Sequence, residues 1–282
     1  MLAHVDGRRA RRSLIRSVQL MPRILLTNDD GYFSPGLIAL ADALRPLGEV
    51  TIVAPEREAS AVGHALTLRR PLRLHEVERG VFAVDGTPTD CVNIAIAEVL
   101  SGRPDLVVSG INKGLNIGDD VTYSGTVAGA LEGALLGHQA IAISLEFTRD
   151  HWDFKPAAAI AASLAGAVLA RPLPPRTFLN VNVPQGPLLG WRVTVQARRN
   201  HITKVDRRED PRERPYFWIE EAQDDWEPDE RSDHRAIGDG YVSITPLQPD
   251  LTDHAALTLV DALAKAAGTA ATPTPTPQPS SR

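Results

Sequence analysis

Short, almost wholly apolar runs alternate with helical segments through most of this chain. That alternation restricts its fold more than any other feature. "RILLT" (23–27), "EVTIVAP" (49–55), "PDLVVSG" (104–110), "QAIAISL" (139–145) and "TFLNVNVP" (177–184) have the length of strands, and Pro71 to Val84 reads as one or two more. Between them lie "SPGLIALADALRPLG" (34–48), "TDCVNIAIAEVL" (89–100), "SGTVAGALEGALLG" (124–137) and "KPAAAIAASLAGAVLA" (155–170). In the first of these, Leu37, Ile38, Ala41, Leu44 and Leu47 recur at helical spacing, Ser34 suits an N-cap, Pro35 the first helical position and Gly48 a stop. Strands without a polar face are covered on both sides. Helices between them imply parallel neighbours and right-handed crossovers. The expected fold is α/β: a Rossmann-like doubly wound, mostly parallel sheet with ligands at the carboxyl ends of its strands.

The pattern changes after Pro184. "WRVTVQARRN" and "GYVSITPL" read as strands, separated by a charged stretch from Asp206 to Arg235 that is interrupted by "PYFWI". A β-rich extension with a projecting arm is expected over about 185–250, followed by a closing helix in "DHAALTLVDALAKAAG". The folded unit is expected to span 21–267. Residues 1–20 carry Arg8, Arg9, Arg11, Arg12 and Arg16 against Asp6, and read as a disordered leader or as an upstream start with Met21 the true one. Residues 268–282, ending in "TPTPTPQPSSR", read as a disordered tail.

Bulk properties exclude several classes. A net charge of −5 gives no reason to expect nucleic-acid binding. No apolar run reaches the roughly 18 residues of a membrane-spanning helix. The single cysteine, Cys91, forms no intrachain disulfide and suits a reducing compartment, so a cytoplasmic location is expected.

Unusual polar residues follow the strands, and this topology brings those strand ends to one edge. After the first strand come Asn28, Asp29, Asp30 and Gly31; after the second, Ser60 and His64; after "DLVV", Asn112, Asn116, Asp119, Asp120, Ser124 and Thr126. Adjacent acids repel, and a divalent cation relieves the repulsion; the alternative is a plain Asx turn. An oxygen-only donor set suits Mg²⁺, Mn²⁺ or Ca²⁺. Ser124, Gly125 and Thr126 open a helix, where free N–H groups and the dipole attract an anion, or where a hydroxyl simply caps the helix. Cation and anion sites together describe a phosphate-ester pocket. No G-x-G-x-x-G follows the first strand, and there is no P-loop and no H-E-x-x-H.

The motifs "ILLTNDDGYFSPGL", "VAPEREASAVGHALTL", "GTPTDCVNIAI", "VVSGINKGLNIGDDVTYSGTVAGALEG" and "GYVSITPLQPDLTD" resemble, in matching order, those of the SurE family of stationary-phase survival nucleotidases. The resemblance implies a metal-dependent phosphatase acting on nucleoside 5′- and 3′-monophosphates, sometimes also on short polyphosphate. It further implies a homodimer or homotetramer built partly by exchanged C-terminal segments, with one divalent cation, Mg²⁺ or Mn²⁺. By motif position its metal ligands fall on Asp29, Asp30, Ser60 and Asn112, with Asp29 and Asp30 catalytic. Its phosphate-binding positions fall on Asn116, Ser124, Gly125 and Thr126. The chain departs from the family pattern at Ala61, where Gly often follows the serine, and at Lys113, where a small residue is usual.

Other residues read two ways. His64 either donates to a leaving oxygen, shapes the pocket, or is structural. Thr87 to Asp90 either buttresses the metal loop or caps a helix. Tyr216, Phe217 and Trp218 stack on a base or, the preferred reading, form a subunit contact. Two mechanisms fit the pocket: attack by an activated water, or by an aspartate to give an acyl phosphate. A nucleotide- or metal-binding regulatory module without turnover is the alternative function.

Overall fold

Strand β1 (Arg23–Thr27) lies inside a nine-stranded sheet, and the chain winds outward from it in both directions. The computed structural model describes residues 21–148, 152–200, 203–221 and 225–270; the expected leader and the tail from 271 fall outside them. After β1 come α1 (Pro35–Leu44), β2 (Glu49–Pro55), β3 (Leu74–Glu78), β4 (Val81–Val84) and α2 (Pro88–Ile94), which continues as a π turn at Ala95–Val99. Next are β5 (Leu106–Lys113), a 3₁₀ turn at Gly118–Thr122, α3 (Gly125–Leu135), β6 (Gln139–Leu145), α4 (Lys155–Ala170) and β7 (Phe178–Val183). The extension supplies β8 (Trp191–Val193), β9 (Arg199–Asn200), β10 (Thr203–Glu209), β11 (Pro215–Glu221), β12 (Asp225–Trp226), α5 (Asp233–Gly238) and β13 (Val242–Leu247).

The strand order is β3-β4-β2-β1-β5-β6-β7-β13-β8. Neighbours from β4 to β7 are parallel; β3 and β13 run antiparallel to β4 and β7. The α/β sheet is therefore mixed and mostly parallel, as its apolar strands implied. The winding reverses at β1, with β2 on one side and β5 on the other. At such a switch point the crevice beyond the strand ends opens for ligand.

The two faces of β1 carry separate cores. Ile24 and Leu26 pack with Leu37 and Leu40 of α1 and Ala157 and Ala161 of α4. Leu25 points the other way, into Cys91 and Val92 of α2 and Val127 and Ala130 of α3. This is the period-two alternation of a strand buried on both sides. Ser34 caps α1 by accepting from Leu37 N–H at 3.3 Å. The helix ends at Leu44, before the expected stop at Gly48, because Pro46 lacks the N–H a further turn needs.

The charged stretch contains an antiparallel ribbon, β10 with β11, on which Tyr216, Phe217, Trp218 and Ile219 are exposed. A second unit begins at Pro249 and is described by itself. It contains α6 (Leu257–Ala270), whose Leu257, Leu259, Val260 and Leu263 are exposed. No helix among the described residues is long and apolar enough to cross a membrane.

Candidate active site

The chain bends as it leaves β1, and one buried amide holds the bend. Asn28 Nδ2 donates to the Gly31 carbonyl at 3.0 Å and to Ser34 Oγ at 2.8 Å. Gly31 has φ +99°, a left-handed value that glycine takes without strain. Asp29 and Asp30 occupy the bend, the first buried and the second partly so.

Asp29 is fixed by the start of α3. Its Oδ1 accepts from Thr126 Oγ1 at 2.5 Å, and the Thr126 backbone N–H also reaches the carboxylate. A Cβ on Gly125 would lie 2.7 Å from Asp29 Cβ, so only glycine lets the helix come this close. Burial raises the Asp29 carboxyl above its ordinary value, and the Thr126 bonds oppose without cancelling it. Asp30 is pushed up to about 6, first by burial and then by the Asp29 charge; the Lys113 ammonium and backbone N–H oppose, and Glu58 adds to the rise. Asp30 Oδ2 is buried with no hydrogen-bond partner.

Asn112 and Lys113 arrive on β5, which continues past the expected strand end at Gly110 through "INK". The β5–β6 register shifts between Ser109 and Asn112. Gly110, at φ +138°, makes room for the shift: a Cβ there would stand 2.3 Å from the Ile143 carbonyl oxygen. Asn112 Nδ2 donates to the Gly114 carbonyl at 3.0 Å.

Ser60 follows Ala59, whose N–H donates to the Asp29 carbonyl at 2.7 Å. Its hydroxyl donates to Glu58 Oε1 at 2.8 Å. Ser124 caps α3 by accepting from Val127 N–H at 3.1 Å, which leaves the hydroxyl proton outside the cap. Asn116 is buried in a polar network: its Nδ2 donates to Ser144 Oγ at 2.8 Å, and its carbonyl accepts from Asn180 and Asn182 at 2.8 and 3.0 Å. The structure thus joins Asp29 to Gly125 and Thr126 directly, places Asp30 against Lys113, and holds Ser60 one residue beyond the Asp29 contact. A cleft of about 390 Å³, lined among others by Glu58, Ala59, Thr67, Arg70, Asp85 and Thr87, shares the Glu58–Ala59 wall with this site.

The donors suit a hard cation. Two ionisable carboxylates, a hydroxyl and an amide offer oxygen alone. Asp30 keeps one buried oxygen without a hydrogen-bond partner, a lone pair that such a cation could take up.

Several contributors escaped the sequence reading. Glu58 adds negative charge beside both aspartates. Asn180 and Asn182 position Asn116; their alternation with apolar residues in "FLNVNV" puts both on one face of β7 and was a usable signal. Glu132, the lone acid in the small-residue helix α3, was another.

The family model described as "Survival protein SurE" matches residues 24–203. A 5′-nucleotidase SurE from Pelobacter propionicus is 54% identical over 240 residues, covering 84% of this chain and 97% of its own. A 5′-nucleotidase SurE from Geobacter sulfurreducens is 52% identical over 240 residues, covering 84% and 92%. The crystal structure of the SurE protein from Aquifex aeolicus matches with a TM-score of 0.77 at 43% identity, over 86% of this chain and 100% of that one.

Proposed function

This chain belongs to the SurE family, and from that premise we propose that it is a metal-dependent 5′-nucleotidase. Its substrates are nucleoside 5′- and 3′-monophosphates, hydrolysed to nucleoside and phosphate, with short polyphosphate as a further substrate. The observation that carries the reading is the unpartnered buried oxygen of Asp30, beside Asp29, where α3 begins. Asp29, Asp30, Ser60 and Asn112 hold one divalent cation, Mg²⁺ or Mn²⁺. When bound, that ion supplies positive charge and Lewis acidity to the phosphoryl group.

The chain's own residues do the rest. Asn116, Ser124, Gly125 and Thr126 form the anion side, where the N-terminal end of α3 favours the phosphate's negative charge. The Ser124 hydroxyl proton, not used in capping, is available to a phosphate oxygen. Thr126 has two tasks: it fixes Asp29 and belongs to the helix turn that meets the anion. One of the two carboxylates, Asp29 or Asp30, orients the attacking water or takes its proton. The neighbouring cleft of about 390 Å³ falls within the roughly 300–1,000 Å³ of small-molecule sites and receives the nucleoside. The protein works in the cytoplasm as a homodimer or homotetramer; the exposed apolar side chains of β11 and α6 support the assembly.

The test is phosphate release from AMP, GMP, 3′-AMP and tripolyphosphate, with Mg²⁺ or Mn²⁺ and with EDTA. Release that needs the metal and is lost in Asp30→Asn is expected. No release from any substrate with either metal overturns the reading.

A further inference from the structure

The segment between Pro55 and Leu74 carries Ser60, yet contains no strand or helix. Holding such a loop still costs conformational entropy, and its side chains must recover that cost through contacts. Its ties to the helices below are specific. The Ala59 N–H donates to the Asp29 carbonyl, and the Gly63 N–H to the Tyr123 carbonyl at 2.9 Å. Thr67 gives its N–H and its hydroxyl to Asp90 of α2 at 2.9 and 2.7 Å. His64 Nε2 lies 2.6 Å from Glu132 Oε2.

Glu132 is the unusual partner. It sits in the middle of α3, 6% exposed, among alanines, glycines and leucines. A buried carboxylate is costly unless its oxygens are bonded. Both are: Oε2 meets His64, and Oε1 accepts from Asn93 Nδ2 of α2 at 2.7 Å. Asn93 is itself held, donating to the Thr89 carbonyl at 3.0 Å. Burial works to raise the Glu132 carboxyl, but the His64 and Asn93 bonds outweigh it and keep the group below its ordinary value. The helix that carries Glu132 is the one whose first turn fixes Asp29. One rod therefore touches both sides of the site: Asp29 at its start and the Ser60 loop two turns further on.

We propose that Glu132 is a positioning residue, which acts through His64 to clamp the Ser60 loop at a set distance from Asp29. It rests on the metal-site reading above and extends it to residues with no role in that reading. Clamping pre-orders a donor, so its loss is felt as weaker metal binding and a higher KM. kcat is affected less, because no proposed ligand has been removed.

The test uses the full chain with Glu132→Gln, His64→Leu and His64→Gln, the last keeping an N–H donor within reach of Glu132. Hydrogen exchange of residues 59–68 in metal-free protein reads the clamp itself; calorimetric Mn²⁺ titration without substrate reads its consequence. Glu132→Gln and His64→Leu are expected to speed exchange in 59–68 and to weaken Mn²⁺ binding about 10-fold, the usual size for a partner that orients a ligand. His64→Gln is expected to restore most of both. If Glu132→Gln fails to fold, His64→Leu, made from the loop side, answers the same question. Unchanged exchange in the variants, unchanged Mn²⁺ affinity despite faster exchange, or His64→Gln no better than His64→Leu overturns the proposal. A wild-type protein that binds Mn²⁺ but releases no phosphate from any nucleotide rejects the nucleotidase reading instead, and leaves the clamp to be judged by exchange and binding.

Discussion

Thr126 Oγ1 donates to Asp29 Oδ1 at 2.5 Å, which ties together two residues 97 apart in the sequence at the mouth of the sheet. The bond fixes how Asp29 presents its other oxygen. Thr126→Val keeps the shape and removes the donor, and is expected to lower kcat/KM for AMP by about 10–100-fold. Thr126→Ser keeps the hydroxyl and is expected to retain most activity. Steady-state kinetics of the pair check this; equal losses in both would assign the effect to packing.

Asp30 links stability to pH. Its folded carboxyl sits at about 6, against an ordinary 3.8, so the folded protein binds this proton more tightly than the unfolded chain does. Metal-free protein therefore loses stability as pH rises from about 4 to about 6, and the loss persists above that. Asp30→Asn removes the ionisation. In EDTA at pH 8 it is expected to melt about 2–4 °C above wild type, the shift given by ~1 kcal/mol in a domain of this size. The same variant is expected to lose about 10²–10³-fold in phosphate release. Melting curves at pH 4 and pH 8 supply the comparison, because the two proteins should converge at the lower pH.

Two glycine substitutions separate fold from site. Gly110→Ala forces a Cβ against the Ile143 carbonyl oxygen at a left-handed φ, and is expected to cost about 2–4 kcal/mol in urea unfolding. Gly125→Ala sets a Cβ 2.7 Å from the Asp29 Cβ, so the bend after β1 or the first turn of α3 must shift. It is expected to lose Mn²⁺ affinity in addition to some stability. A Gly125→Ala protein with normal metal binding would show that Asp29 has slack.

The β11 aromatics bear on assembly. Phe217 and Trp218 are each 58% exposed, more than a lone ribbon has reason to leave in water. Phe217→Ser with Trp218→Ser is expected to lower the mass measured by light scattering after gel filtration. An unchanged mass would assign these side chains to another role.

What the sequence made legible was what lies within one element. The runs at β1, β2 and β6 read as strands because both faces of each are covered by apolar packing, and Ser34 read as a cap because capping needs only three neighbouring residues. The letters "INK" read as loop, although β5 continues through them, because the register shift at Gly110 depends on Ile143 in another strand. Thr126 read as an anion donor because its bond to Asp29 spans two elements. The tie between Asn116 and Asn182 was hidden for the same reason.

Helix α3 rides unusually deep. At Gly129 an added Cβ would meet Ser109 Oγ and Thr27 Cγ2 at 2.8 Å, and at Gly133 it would meet Val107 Cβ at 2.9 Å. A rod seated this closely on β1 and β5 cannot slide or tilt without displacing them, so the sheet itself fixes where the first turn of α3 stands.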